Sequence, residues 1–408
     1  MVHYPINANC KTDLKKVFLA NNNWYHFHER FGGQLRRNIV HTVIKFLSCK
    51  NRIRGSLKYA CPDKNCGHIK YIPFTCKCRL CSSCGKKGTL QWQERLAEHF
   101  PDTRYQHITF TLPCEFWDLF WLNRDLFKVI APLAVECLNT VVKSLDIHLG
   151  VFLAIHSFGA DLKRNVHVHL LVALGGLNKD QKGWKKIKPF NQKQLVPLWR
   201  KVFLECLRKQ YRKRKLNLGK QFAHLQHDYT AFNHFLDKHY HVWWHIHCAE
   251  PENNATAVRQ YLGRYVKRPP IANRNIAHCT DNAVSFYFKN RKTKKRELKR
   301  MSPFEFIRAV IQHIPDKGFR MIRYYGFLSN ALRGKCLPIV RHLLNLPQPN
   351  DYVNSVTYAS MMQQYLNFNP LKCVLCGNQL RLESIDYGLP FSKLKKFHKQ
   401  LALGKPCI

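Results

Sequence analysis

Asn165-Val166-His167-Val168-His169-Leu170-Leu171-Val172 is a run in which apolar and imidazole side chains alternate. Successive side chains of a strand point to opposite faces, so His167 and His169 share one face and Val166, Val168 and Leu170 take the other, toward a core. A second β-rich run, residues 151–157, precedes it across a polar loop, and the two read as an antiparallel hairpin. With the turn centred near Asp161-Leu162, His156 falls opposite His167 on the same face. Three imidazoles then converge. They can hold one divalent ion and leave positions open for water or a phosphate oxygen. His245-Ile246-His247, in a strand-like run over 242–248, has the same His-apolar-His form. The first pair is preferred because His156 supplies a third imidazole and Gly175-Gly176 follows the strand, whereas Trp243 and Trp244 suit packing or DNA contact.

Outward from the hairpin, residues 104–112 read as another strand, ending at Pro113, and 283–288 begins a further strand pair. Apolar spacing predicts helices over 26–47, 90–99, 116–145, 255–267, 303–313 and 330–346. The last of these before a Pro-Pro stop, 255–267, carries Gln260-Tyr261-Leu262-Gly263-Arg264-Tyr265. Tyr261 and Tyr265 stand four apart, so their hydroxyls share one helix face. A tyrosine oxygen beside a metal-polarised phosphate can act as a nucleophile. Arg264, Lys267 and Arg268 would hold the anionic backbone.

The chain of 408 residues carries 67 Lys+Arg against 25 Asp+Glu, a net charge of +42. That excess excludes an ordinary metabolic enzyme as the first reading and selects a polyanionic partner, nucleic acid before membrane surface. Eight of the twelve positions from 289 to 300 are basic, among them Lys292, Lys294, Lys295 and Arg296, and 208–215 is a second basic run. Trp184, Trp199, Trp243 and Trp244 are available to stack on unpaired bases. The first residues lack a signal-peptide pattern, and no apolar run reaches the ~20 residues of a bilayer span. A cytoplasmic protein, nucleoid-associated when bound to DNA, is expected.

Seventeen cysteines in such a protein suggest metal ligands or free thiols rather than disulfides. Six fall between Cys61 and Cys84. Structural zinc takes four thiolates in a tetrahedron. The quartet expected is Cys61, Cys66, Cys81 and Cys84, with Cys76 and Cys78 as alternatives or members of a second site. Near the C-terminus, Cys373 and Cys376 form a further zinc half-site, which His398 and Cys407 could complete.

Taken in order, these blocks resemble a known family. The cysteine module, Gln106-His107-Ile108-Thr109-Phe110-Thr111-Leu112-Pro113, the histidine hairpin, the paired tyrosines and Arg323-Tyr324-Tyr325-Gly326-Phe327-Leu328-Ser329 are similar to a two-tyrosine rolling-circle transposase of the insertion sequence ninety-one type, within the HUH endonucleases. The resemblance runs from about residue 40 to 345. It implies an α+β fold, a small antiparallel sheet flanked by helices with the metal histidines on a central strand. It divides the chain into a helical and zinc-binding DNA-recognition part (1–98), a catalytic part (99–330) and a C-terminal extension (331–408). It implies that one tyrosine attacks a DNA phosphodiester, leaving a 5′-phosphotyrosine and a free 3′-OH, and that the second carries another strand transfer. Mg2+ or Mn2+ would sit at His156, His167 and His169, and Zn2+ at the cysteine module. Val166 stands where many relatives have proline, and Glu250 where they are often basic. A plasmid replication initiator or relaxase is the same-chemistry alternative. A non-catalytic zinc-dependent DNA-binding relative is the other.

Overall fold

The computed structural model describes residues 13–252, 263, 269–290, 293–348 and 357–405, and it leaves the side chains of 94–98 in helix Ser82–His99 and of 365 in helix Tyr358–Leu366 undescribed. The architecture is α+β, organised around one antiparallel sheet. No helix among the described residues is long and apolar enough to cross a membrane.

The strands are β1 (Ser56–Ala60), β2 (Ile69–Pro73), β3 (Tyr105–Thr111), β4 (Ile147–Phe158), β5 (Arg164–Asn178), β6 (Trp184–Lys186), β7 (Ile246–Cys248), β8 (Ile276–Cys279), β9 (Val284–Lys289), β10 (Arg296–Met301), β11 (Ile322–Tyr325) and β12 (Arg381–Asp386). The central sheet has the order β11-β4-β5-β3-β7, with β6 paired on the far end of β5. The β4–β5 hairpin is longer at both ends than the runs 151–157 and 166–174, because the two strands go on pairing through Leu149 opposite Gly176, His148 opposite Leu177 and Ile147 opposite Asn178 at one end and Phe158 opposite Arg164 at the other.

Both faces of that sheet are covered. Val151, Leu153 and Ile155 of β4, Val166, Val168 and Leu170 of β5, and Ile108 and Phe110 of β3 face helices Leu126–Val141, Gln192–Arg212 and Tyr229–Lys238. Phe152 and Ala154, Leu171 and Ala173, and Tyr105 face the other way, onto Phe327, Leu328 and helix Arg333–Leu343. Period-two alternation divides the two cores. His156, His167 and His169 continue the second face beyond Ala154 and Leu171.

The expected helix over 116–145 is broken. Asn123 leaves the helical region, and its amide donates to the Leu119 carbonyl at 3.0 Å and the Asn217 carbonyl at 2.7 Å. That side chain competes successfully with the helix ladder. The expected helix over 26–47 is likewise split into Asn23–Phe31 and Arg37–Leu47, with the weak helix formers Gly32 and Gly33 between them.

A second core unites segments far apart in sequence. Leu14, Trp24, Phe27, Val43 and Leu47 of the first helices pack with Phe286 of β9, with Phe306 and Val310 of helix Pro303–Ile311, and with Leu394 and Leu401 near the end of the chain. Two smaller sheets flank the central one: β10-β9-β8, which supplies Phe286, and β12-β1-β2, which pairs the last strand with the N-terminal hairpin.

Candidate active site

In the β4–β5 register His156 lies directly opposite His167, and His169 opposite Ala154. One ligand atom from each of His156, His167 and His169 lies within 4.8 Å of the others, and all three residues are buried. The donor set fits a divalent ion. His167 Nδ1 lies 3.0 Å from the Asn165 carbonyl oxygen, which can only accept, so Nδ1 carries the proton and Nε2 keeps its lone pair. His169 Nδ1 lies 3.1 Å from both His107 Nε2 and Thr109 Oγ1 on β3, and these neighbours fix its ring from behind. Burial, with a smaller contribution from His247, pushes His107 down to about 4, so it serves as a neutral support. The rival His245 and His247 stand outside this cluster: the His245 carbonyl accepts from the Thr111 hydroxyl, and the ring of His247 faces His107.

His313 holds the hairpin from outside the motif. Its Nδ1 lies 3.2 Å from Ser157 Oγ, next to His156, and its Nε2 lies 3.1 Å from the carbonyl of Leu162 at the hairpin turn. Leu162 has φ of 65°, a conformation rare for a branched side chain. Beside the β4–β11 edge lies a cleft of about 1040 Å³, whose walls include Arg124, Lys128, Lys317, Arg320 and Arg323. No local run announces these five cations, because they come from segments almost 200 residues apart and only the fold assembles them.

The cysteines form two clusters rather than the expected quartet. Cys49, Cys76, Cys81 and Cys84 are one, and Cys61, Cys66, Cys373 and Cys376 the other. Cys61 and Cys66 therefore do not join Cys81 and Cys84. The loop carrying them projects from the β1–β2 hairpin, whereas Cys81 and Cys84 sit at the start of helix Ser82–His99, beside Cys49. Sγ–Sγ distances in the first cluster are 3.8 Å (Cys49–Cys81), 3.7 Å (Cys49–Cys84) and 3.5 Å (Cys76–Cys84). A tetrahedral site with Zn–S bonds of ~2.3 Å has edges of about 3.8 Å. Shared hydrogen bonds hold Cys84 far below the ordinary thiol range and push Cys49 and Cys81 above it, so one thiolate draws a cation in and the other thiols lose their protons on binding it. Cys78 points instead to the carbonyls of Thr42 and Cys76. His398 does not complete the C-terminal half-site: it accepts from Trp24 Nε1 at 2.8 Å and packs on His28. Cys407 lies outside the described residues.

Two family models match. One, described as a putative transposase, covers residues 150–335, and the other, a transposase zinc-binding domain, covers residues 19–112. The transposase for insertion sequence element IS801 of Pseudomonas savastanoi pv. phaseolicola is 36% identical over 377 residues, which is 92% of this chain and 90% of that protein. The chain belongs to the IS91-type transposase family. The putative transposase y4qJ of Sinorhizobium fredii is 29% identical over 350 residues, 83% of this chain and 87% of that one. No solved structure matches the chain.

The transposase thus contains a zinc-binding domain, and transposition makes DNA its substrate. Tyr261, Tyr265, Arg264, Lys267, Arg268 and Lys292 lie outside the described residues. Between the tyrosines, Gly263 is described: a Cβ there would run into Gln93 and Thr89, so the backbone at this point lies close against helix Ser82–His99. Lys294, Lys295 and Arg296 are exposed at the tip and start of the β9–β10 hairpin. Two of the four tryptophans are not available for stacking on bases, since Trp199 and Trp244 are buried in the main core. Trp243 is 78% exposed.

Proposed function

We propose that this transposase nicks and rejoins DNA strands through a covalent tyrosine link, driving rolling-circle transposition of its insertion sequence. The observation that carries this reading is the convergence of His156, His167 and His169 on the central hairpin, with the tautomer of His167 set by a backbone carbonyl. Mg2+ or Mn2+ held there would draw charge from the non-bridging oxygens of the scissile phosphate. The residues of the chain divide the remaining work. His107 and Thr109 orient His169, and Asn165 orients His167. Arg124, Lys128, Lys317, Arg320 and Arg323 offer a basic cleft for the strand.

Tyr261 or Tyr265 supplies the nucleophile. Its hydroxyl oxygen bonds to phosphorus and loses its proton while the bond from phosphorus to the 3′ oxygen breaks. That oxygen takes up a proton and leaves as a free 3′-OH, and the 5′ phosphate remains on the tyrosine. The second tyrosine repeats the exchange without releasing the first link. Arg264, Lys267, Arg268 and Lys292, with Lys294, Lys295 and Arg296, contact the DNA backbone. Zinc at Cys49, Cys76, Cys81 and Cys84 shapes the N-terminal part that recognises element ends.

Labelled single-stranded DNA incubated with the protein and magnesium or manganese tests this. A covalent adduct is expected on a denaturing gel, and Tyr261→Phe/Tyr265→Phe should abolish it. Full cleavage by that double variant would sink the reading. His167→Ala/His169→Ala should lose cleavage while largely retaining DNA binding.

A further inference from the structure

Cys61 and Cys66 sit on the loop between β1 and β2, and Cys373 and Cys376 sit just before β12, more than 300 residues later. Cys61 Sγ lies 3.3 Å from Cys376 Sγ, and Cys66 Sγ lies 3.6 Å from Cys373 Sγ. All four sulfur atoms fall within 4.8 Å of one another. Disulfides would need ~2.05 Å. The spacing is close to the ~3.8 Å edge of a tetrahedral thiolate site. Neither family match reaches the second pair, because they end at residues 112 and 335.

The two loops are built alike. In each, the second cysteine is followed by a glycine in the left-handed region, Gly67 at φ 61° and Gly377 at φ 77°. In each, the backbone closes around the sulfurs. The Cys61 amide donates to the His68 carbonyl at 2.9 Å, and the Cys373 amide to the Asn378 carbonyl at 2.7 Å. Two such turns, meeting at the same end of a three-stranded sheet where Ala60 pairs with Arg381, are the frame of a zinc ribbon. His68 Nδ1, 3.1 Å from Cys373 Sγ, stands where an outer-sphere partner steadies a thiolate.

We propose that Cys61, Cys66, Cys373 and Cys376 bind a second structural zinc ion, shared between the N-terminal hairpin and the C-terminal strand. The ion fastens β12 to β1 and so makes the end of the chain part of the zinc-binding region. This site is separate from the histidine cluster and does not depend on the strand-transfer reading, because its test reads metal content rather than cleavage.

The full-length protein, purified and freed of loosely held metal, is analysed for zinc per chain. Cys373→Ser/Cys376→Ser should lose one equivalent. Cys61→Ser/Cys66→Ser should lose one as well, and the quadruple variant should still lose only one. Cys49→Ser/Cys76→Ser should lose a different equivalent, additive with the first. No loss from Cys373→Ser/Cys376→Ser, or two equivalents lost from the quadruple variant, overturns the proposal.

Should the serine variants precipitate, the wild-type protein decides. Cys61, Cys66, Cys373 and Cys376 should resist alkylation together and become reactive together when a chelator releases zinc, as read by mass spectrometry. Cys373 and Cys376 reacting before the chelator is added, or disulfides among the four in unreduced protein, would overturn it equally.

Discussion

At the scale of the residue, His313 shows how a group outside every motif sets the site. Burial is the main reason its pKa falls to about 3, and although the Leu162 carbonyl opposes the shift, nearby Arg164, Arg79 and Arg124 add to it. The neutral ring can then accept from the Ser157 hydroxyl and donate to the Leu162 carbonyl at once. The unfolded chain takes up a proton near the ordinary 6.5, which the folded chain refuses until about 3. The contribution to stability is therefore complete above pH 6.5 and is lost progressively as pH falls toward 3. Melting temperature measured across that range should fall less steeply for His313→Gln than for the wild type. Parallel curves would remove His313 as the titrating group.

Residues differ in how far sequence betrays them. His156 was legible because strand alternation and a turn position place it opposite His167 without any tertiary knowledge. His313 was not, since a lone histidine after a helix carries no pattern. Cys49 was missed for a related reason. It stands 27 residues before Cys76, and the two segments meet only in the fold, where the Lys50 amide donates to the Phe74 carbonyl, the Phe74 amide to the Gly55 carbonyl and the Cys76 amide to Cys49 Sγ. The quartet expected from local spacing counted neighbours along the chain, whereas a tetrahedral site counts neighbours in space.

At the scale of the element, the β4–β5 hairpin depends on its edge partner. After β11 the chain turns at Gly326, with φ of 60° and its Cα against the Leu149 backbone, so that a Cβ would overlap the Leu149 carbonyl. Phe327 then fills the space left by the missing side chain of Gly150. Gly326→Ala should cost about 2–4 kcal/mol, since it adds backbone strain to a steric overlap that rigid backbone cannot relieve. Chemical denaturation would read this, and an unchanged midpoint would refute the packing account. The Tyr-Tyr-Gly-Phe block, legible only as a family resemblance, thus has a physical role as the brace of the histidine hairpin. Helix boundaries were less legible, because the side chain of Asn123 and the Gly32-Gly33 pair override an apolar period that runs on through them.

On the scale of the whole molecule, the charge of +42 is dispersed over several segments. Binding to single-stranded DNA should weaken steeply with salt, with each phosphate contact contributing about 0.7 to the logarithmic slope. Replacing Lys294, Lys295 and Arg296 by alanine should flatten that slope by about 2. Titrations between 50 and 200 mM salt measure it. An unchanged slope would place the β9–β10 hairpin away from the DNA.

The pairing of β12 with β1, and the packing of Leu394 and Leu401 among the first helices, also bear on how the protein is made. A ribosome adds roughly 5–20 residues per second, so β1 waits on the order of half a minute for its partner strand. Until then the N-terminal helices have an incomplete core and an open sheet edge. A nascent or prematurely terminated transposase therefore lacks a finished N-terminal core, and the zinc-binding region closes only after the ribosome has passed Leu401.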